Sequence, residues 1–566
     1  MRQFKISQLF ALFTFYPLTY AFQECPYLGP DFPAPTNLTN SSTFQKALAN
    51  LTSTIENGIV SGTLFPNSTS FSVEIFSTKN PNPLFEYHHT SPNLQLFNGT
   101  KLVDGNSIYR IASISKLFTV YLFLIEAGDV HFHDSITKFI PELAEESIFY
   151  SNDEAADFVD WESVTIGELA SQMSGISRDS EFGFPPLNAS DFQLCLQPGD
   201  CDRQQFFKAF TIEHPVFATA TTPTYSNVAF QLLGYALENI TKNSFASLLQ
   251  SSLLDKLDLN GTSYTPPTDL THLIIPSDAA TSLWNLDYKD FSPAGGIYST
   301  PHDLSTLGRS ILSSTLLSRP LTRRWMKPVT HTANTLFSVG APWEIWRLAL
   351  PSPSPPKIVD IYTKEGDTGA YHSILALIPD WQLGFTVLNA DGGTASSGVE
   401  LIISNWINNL VLPSVEAAAR EEAQINLAGT YQSQTPNLNS SLTISTDTSY
   451  LGLGIDSFIS NSTDMFIIAA SLLGGIPVQN VSIRLYPTNL SNKKGYGGPQ
   501  ERIFRAVFED KGAGNGNPIW GCSTWAGAAS IRYGGVAIDE FAFIVGEDGK
   551  AVSAEARAFR DVLARV

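Results

Sequence analysis

Residues 109–128, YRIASISKLFTVYLFLIEAG, constrain the fold more than any other stretch. The run from Ser113 to Ala127 is apolar at helical spacing and stops at Gly128, which predicts a helix over 113–127. A helix so poor in polar positions has to be packed on all sides, so it belongs in a core. Upstream, SFSVEIFST (Ser70 to Thr78) alternates as a strand does, so a strand region feeds a buried helix. The 566 residues, 43% hydrophobic and 16% charged, suffice for two or more such cores and exclude a disordered chain.

The patterning along the chain then changes twice. From about Asp134 to Asp258 it is helical, as in VTIGELASQMSG, NVAFQLLGYALENIT and SFASLLQSSLLDKL. Strands return at YHSILALIPDWQLGFTVLNADGG, where PDWQ separates two apolar runs as a hairpin turn does. A helix follows over about Val399 to Leu412. Beyond residue 416 the texture is short Ser/Thr/Asn-rich strands, with Asp548-Gly549 at a hairpin tip, which predicts a separate β-rich sandwich or barrel over 416–566.

The first residues, MRQFKISQLFALFTFYPLTYAFQ, combine early cations, a short apolar run and a small residue at Ala21, the pattern of a secretory signal peptide over 1–21. The run is shorter than the roughly 18–20 residues that cross a bilayer, so no stable membrane anchor is expected. Asn-x-Ser/Thr signals at Asn37, Asn40, Asn50, Asn67, Asn98, Asn188, Asn239, Asn260, Asn439, Asn461, Asn480 and Asn489 fit a secreted, extracellular glycoprotein and predict that most of these side chains are exposed. The four cysteines suit an oxidising compartment and allow three pairings. Cys195 and Cys201 enclose LQPGD, a loop able to close locally, which leaves Cys25 for Cys522. A formal net charge of −20 argues against nucleic acid as a partner.

Four serines precede a lysine by three residues, so spacing alone selects none: Ser113–Lys116, Ser135–Lys138, Ser354–Lys357 and Ser491–Lys494. Ser354 lies in the proline-rich SPSPPK, where no helix brings the two side chains together. Ser491 overlaps the Asn489 glycosylation signal, and Ser135 follows HFHD at a helix start, where Asp134 or Ser135 reads as an N-cap. Ser113 alone enters a buried helix, where Lys116 shares its face and burial lowers the amine's pKa toward that of a base.

A serine nucleophile also needs a proton carrier and an oxyanion site. Of two Tyr-Ser-Asn triplets, Tyr150 sits among the acids of FYSNDEAADF, which oppose phenolate formation, whereas Tyr225-Ser226-Asn227 opens an apolar helix. Downstream, Lys364 and Gly366 in YTKEGDTGAYHSILALIP lead into the returning strand, where a cation and backbone N–H groups can line a substrate.

Taken in order, SISK, Tyr-Ser-Asn and Lys-x-Gly resemble the serine beta-lactamase and penicillin-binding-protein superfamily, in its class C-like branch of esterases, D-peptidases and transesterases. SQMSGI at Ser171 and PAGGIYSTPHDL at Pro293 are similar to further segments of that family. With the extra C-terminal part, the whole chain resembles secreted beta-lactamase-like proteins of filamentous fungi. The resemblance implies an α+β fold over 22–415, an antiparallel sheet flanked by helices, with an all-helical subdomain over about 134–290. It implies Ser113 as the acylated nucleophile, Lys116 as its activator, and Tyr225 as proton carrier, its phenolate form helped by Lys116 and Lys364. Asn227 would bond the substrate or Lys116, and the backbone N–H groups of Ser113 and Asp367, beside Gly366, would form the oxyanion hole. The substrate would be a small ester or amide, and no cofactor is called for.

One residue departs from the family pattern: Glu365 replaces a small hydroxyl residue that helps bind a substrate carboxylate. Pointing inward, it would repel a carboxylate and favour a neutral substrate; strand alternation also allows it to point outward. HFHD (His131 to Asp134) is similar to a zinc beta-lactamase motif, but its aspartate stands one place early and no further histidine follows closely, so no metal is expected. The leading reading is a serine hydrolase working through acyl-Ser113. The alternatives are an acyltransferase on the same fold and a catalytically silent binding protein.

Overall fold

The computed structural model describes residues 24–147, 155–179, 202–211, 213–351, 356–393, 396–493, 499–513 and 522–566. Residues 1–21, expected to be a signal peptide, and Tyr150 to Asn152, Asn188, Cys195, Cys201, Ser354 and Lys494 lie outside them. The chain divides into two compact units, one of Ala34–Pro351 with Ile358–Ala419, the other of Met1–Pro33, Ser352–Lys357 and Arg420–Val566.

The larger unit is built on an eight-stranded sheet. Its strands are β1 (Thr69–Ser77), β2 (Asn80–His89), β3 (Thr330–His331), β4 (Phe337–Val339), β5 (Glu344–Ala349), β6 (Ile358–Thr368), β7 (Tyr371–Ile378) and β8 (Leu383–Asp391), in the order β2-β1-β8-β7-β6-β5-β4-β3, every neighbouring pair antiparallel. The PDWQ turn joins β7 to β8, with Gln382 in the left-handed region at φ 54°. All nine residues of β1 are buried, the polar Ser70, Ser72 and Glu74 included, so the sheet is covered on both faces.

Alternation sends neighbouring side chains into two different cores. Val73, Ile75, Ile361, Ile374, Phe385 and Val387 pack under α1 (Ser42–Ser61) and the helix that begins at Val399. On the opposite face, Leu375, Leu377 and Leu388 meet α2 (Ser115–Ala127), α3 (Val228–Thr241) and α4 (Pro301–Ser313). Every residue of α2 from Ser115 to Leu124 is buried, as its composition demands, and each Leu or Phe among them contributes about 1.5–3 kcal/mol. Among the described residues, 134–290 contains helices and turns but no strand.

The helix expected over Val399–Leu412 is longer. Val399–Trp406 (α5) continues through a π-wound turn, Ile407–Val411, into Leu412–Asn426 (α6). Pro413 lacks an N–H and its ring presses on the carbonyl four residues back; the wider turn gives it room, so the helix passes the proline instead of ending there.

The second unit is a barrel. Its strands β9 (Gly429–Ser433), β10 (Ser441–Ser445), β11 (Leu453–Ser460), β12 (Val481–Lys493), β13 (Gln500–Asp510), β14 (Glu540–Val545), β15 (Ala551–Ala556) and β16 (Val562–Arg565) follow the order β10-β9-β16-β15-β14-β13-β12-β11, and β11 pairs back onto β10. Closure removes the free edges. Aromatic rings fill the inside, Phe504 and Phe543 at 5.0 Å and Phe458 and Phe541 at 5.8 Å between centroids. Cys25 and Cys522 form a disulfide within this unit, and buried Lys357 donates to Gly29 O at 2.6 Å and pairs with Asp31 at 3.2 Å.

Of the Asn-x-Ser/Thr asparagines, Asn37, Asn40, Asn50, Asn67, Asn98, Asn260, Asn439, Asn461 and Asn489 are exposed, whereas Asn239 and Asn480 are half-buried. The Asn239 amide nitrogen, the atom a glycan would use, donates to the Phe139 carbonyl.

Candidate active site

Ser113 sits in a 3-10 turn, Ala112–Ile114, that leads into α2. Ala112 takes φ 45°, a left-handed conformation that costs a residue with a Cβ on the order of 1–3 kcal/mol and turns the next side chain out of the helix. Lys116 lies one turn further on, fully buried, and its Nζ is 2.9 Å from Ser113 Oγ. The same Nζ donates to Asn227 Oδ1 and to the Ala294 carbonyl, both at 2.6 Å. Burial pushes the Lys116 amine down to about 8.

Tyr225 approaches from the N-terminal side of α3, its Oη 2.8 Å from Ser113 Oγ. Burial alone would raise its phenol, but the Lys116 and Lys364 ammonium groups outweigh that and hold it below the ordinary tyrosine value. Those two nitrogens stand 5.1 and 5.3 Å from the centre of the Tyr225 ring, and the Arg178 guanidinium is 4.9 Å from it. Lys364 is raised: burial works against the charge, but Glu344, which pairs with its Nζ, and Tyr225 prevail.

Gly366 carries β6 past the nucleophile. A Cβ there would stand 2.3 Å from Ile111 O, 2.5 Å from Ser373 Oγ and 3.0 Å from Ser113 N, so only glycine lets the strand lie this close. Asp367 follows it with an exposed side chain.

The register also gives the direction of Glu365. Lys364 is paired with Leu375, which belongs to the core on the Ser113 side, whereas Glu365 is paired with Ile374 in the opposite core. Glu365 therefore points away from the nucleophile. Its carboxyl is pushed up to about 7 by burial and by Glu344, and Glu400 of α5 adds to the repulsion. Repulsion of a substrate carboxylate by Glu365 does not follow from this geometry.

Ser113, Lys116, Tyr225, Asn227, Lys364 and Gly366 thus meet at one point. Of the three rival pairs, only Ser135–Lys138 lies wholly within the described residues, and it does not form. Ser135 caps Thr137 N–H at 3.3 Å, and Lys138 turns instead to Asp134, which also holds His131. Ser491 is exposed on β12. Two supporting residues escaped sequence reasoning. Asp179 accepts from Asn227 Nδ2 at 2.6 Å and so turns the amide oxygen toward Lys116. Glu344 pairs with Lys364 and accepts the Glu365 N–H at 2.8 Å. Neither stands in a motif; only their places across the cleft and on the neighbouring strand reveal them.

The chain is also similar to known proteins. A family model described as "Beta-lactamase" matches residues 88–403, more than half of the chain, and one described as "Beta-lactamase-like-like, C-terminal domain" matches residues 419–566. A beta-lactamase-like protein of Arthroderma benhamiae is 30% identical over 94% of this chain and 94% of its own length. A probable hydrolase of Phoma sp. is 26% identical, covering 82% of this chain and 78% of its own. A D-alanyl-D-alanine-carboxypeptidase/endopeptidase of Escherichia coli is 24% identical, over 55% of this chain and 79% of its own. On this match, and on the fold that carries it, the chain belongs to the beta-lactamase family.

Proposed function

We propose that the protein is a secreted serine hydrolase that cleaves small esters or amides through an acyl-Ser113 intermediate. The observation that carries this reading is the pair of contacts on one oxygen, Ser113 Oγ at 2.9 Å from Lys116 Nζ and 2.8 Å from Tyr225 Oη. Asn227 Oδ1 and Ala294 O only accept hydrogen bonds, so a neutral Lys116 gives them its two N–H groups and turns its lone pair to Ser113. Ser113 Oγ then loses its proton to Lys116 and bonds to the substrate carbonyl carbon, while the N–H groups of Ser113 and Asp367 receive the oxyanion. Tyr225, recharged from Lys116, protonates the leaving alcohol or amine as its bond to the carbonyl breaks. Water repeats the sequence to release the acid.

Secretion is supported by the N-terminal apolar run, the exposed Asn-x-Ser/Thr sites and the Cys25–Cys522 disulfide. The test is a fluorophosphonate or beta-lactam probe alongside a series of esters of graded acyl length, with a D-amino-acid amide included. Wild type should be labelled and turn over at least one substrate, and Ser113→Ala should do neither. Lys116→Ala and Tyr225→Phe should each lower turnover by about 10²–10⁴-fold with unchanged circular dichroism. Absence of both labelling and turnover in wild type would leave a silent binding protein. Ester product formed in place of acid when an alcohol is added would mark an acyltransferase.

A further inference from the structure

The barrel unit has a cavity of its own, about 360 Å³, into which Arg505, Arg532, Arg557 and Arg560 all project alongside Glu540 and Glu555. The four arginines come from three separate places: Arg505 from β13, Arg532 from the short hairpin Arg532–Tyr533/Val536–Ala537, and Arg557 and Arg560 from the turn after β15. In a chain with 34 basic and 54 acidic residues, four guanidinium groups in one cavity are not an average surface.

The floor is a row on the outer face of the barrel. Phe504 and Phe541 are paired and buried inside, so their neighbours Arg505 and Glu540, also paired, face out. Glu540 accepts Arg505 at 3.0 Å on one oxygen and Arg557 at 2.7 Å on the other. One carboxylate therefore serves two cations. Arg505 also reaches Asp539 at 2.8 Å. Arg560 donates to the neutral Gly534 carbonyl at 2.9 Å and pins the Gly534-Gly535 turn, where both residues have positive φ. Arg532, exposed on the same hairpin, completes the rim. Four positive charges face the three negative ones of Asp539, Glu540 and Glu555, and four guanidinium groups offer roughly twenty N–H donors, far more than these acceptors use.

We propose that this cavity binds a small organic oxyanion, a carboxylate or phosphate on a body about the size of one sugar. A guanidinium fork matches either group through paired N–H bonds. The volume lies at the lower end of the range for ligand sites, and the charged lining suits a compact polar ligand better than an acyl chain. The site is formed wholly by the barrel unit and rests on no assumption about Ser113.

The experiment is isothermal titration of the full chain at constant ionic strength with sodium phosphate, citrate and D-galacturonate, using sodium chloride as reference. At least one of the three should give saturable heat that chloride does not. Arg532→Gln and Arg560→Gln leave the Arg505–Glu540–Arg557 row intact and should each weaken that binding tenfold or more. Arg560→Lys, which keeps the charge without the fork, should fall between. Unchanged melting of the variants in anion-free buffer separates lost binding from lost fold. Heat from phosphate alone assigns a phosphoryl group, and from citrate or galacturonate alone a carboxylate. No saturable heat from any anion in wild type, or equal binding by the folded glutamine variants, would overturn the proposal and leave the arginines as a purely structural ion-pair network.

Discussion

Lys116 is a base only to the extent that it is uncharged, and its surroundings set that extent. A pKa near 8 leaves about a tenth of the amine neutral at pH 7, against well under a thousandth for an ordinary lysine. The direction of the pH dependence follows: kcat/KM should climb roughly tenfold per pH unit below about 8 and level off above it. Since Tyr225 titrates against the same lysine, the apparent value belongs to the pair. Asp179→Ala should lower kcat about tenfold, because Asn227 is then free to turn its NH₂ toward Lys116 and set donor against donor; a pH–rate profile of the variant checks it. That Ser113, Lys116 and Tyr225 come together was legible, because the apolar helices around two of them set them apart from the rival pairs and triplet. Asp179 was not. Its role is to orient a residue 48 positions away, and an aspartate next to an arginine has no signature in sequence.

At the scale of elements, the site depends on how closely β6 passes the 3-10 turn. Gly366→Ala would place a methyl against Ile111 O and Ser113 N, and the strand would have to retreat. A shift of about 1 Å in such a site costs roughly 10²-fold in rate, so kcat/KM should drop by that order while circular dichroism stays native. The PDWQ hairpin and the buried helix after Ser113 could be read directly, since turn chemistry and all-round apolarity are local properties. The burial of Ser70, Ser72 and Glu74 could not. Alternation marks two faces of β1, but whether the polar face is covered depends on helices supplied by residues far along the chain. The passage of the helix beyond Pro413 was equally hidden, because the relief comes from backbone winding and not from residue type.

At the scale of the molecule, strand-rich texture separated the C-terminal part, but closure of the barrel rests on β10 pairing with β11, which no local pattern marks. The expected pairing of Cys25 with Cys522 is the one sequence sign that this unit takes residues from the start of the chain, and the structure holds them there by more than the disulfide. Glu24 accepts the Leu451 N–H at 2.7 Å, Glu509 accepts the Cys25 N–H at 2.9 Å, and Cys25 is bonded to Cys522. Replacing both cysteines by serine should lower the stability of the barrel unit by about 2–4 kcal/mol, read as an earlier denaturant midpoint of its transition, with Ser113 labelling retained. The same dependence bears on biosynthesis. The bonded cysteines are 497 positions apart, so at about 5–20 residues per second Cys25 waits roughly 25–100 s for its partner to be made. The earliest described residues to leave the ribosome are therefore among the last to reach their place, because they wait for the chain around Cys522 to be made.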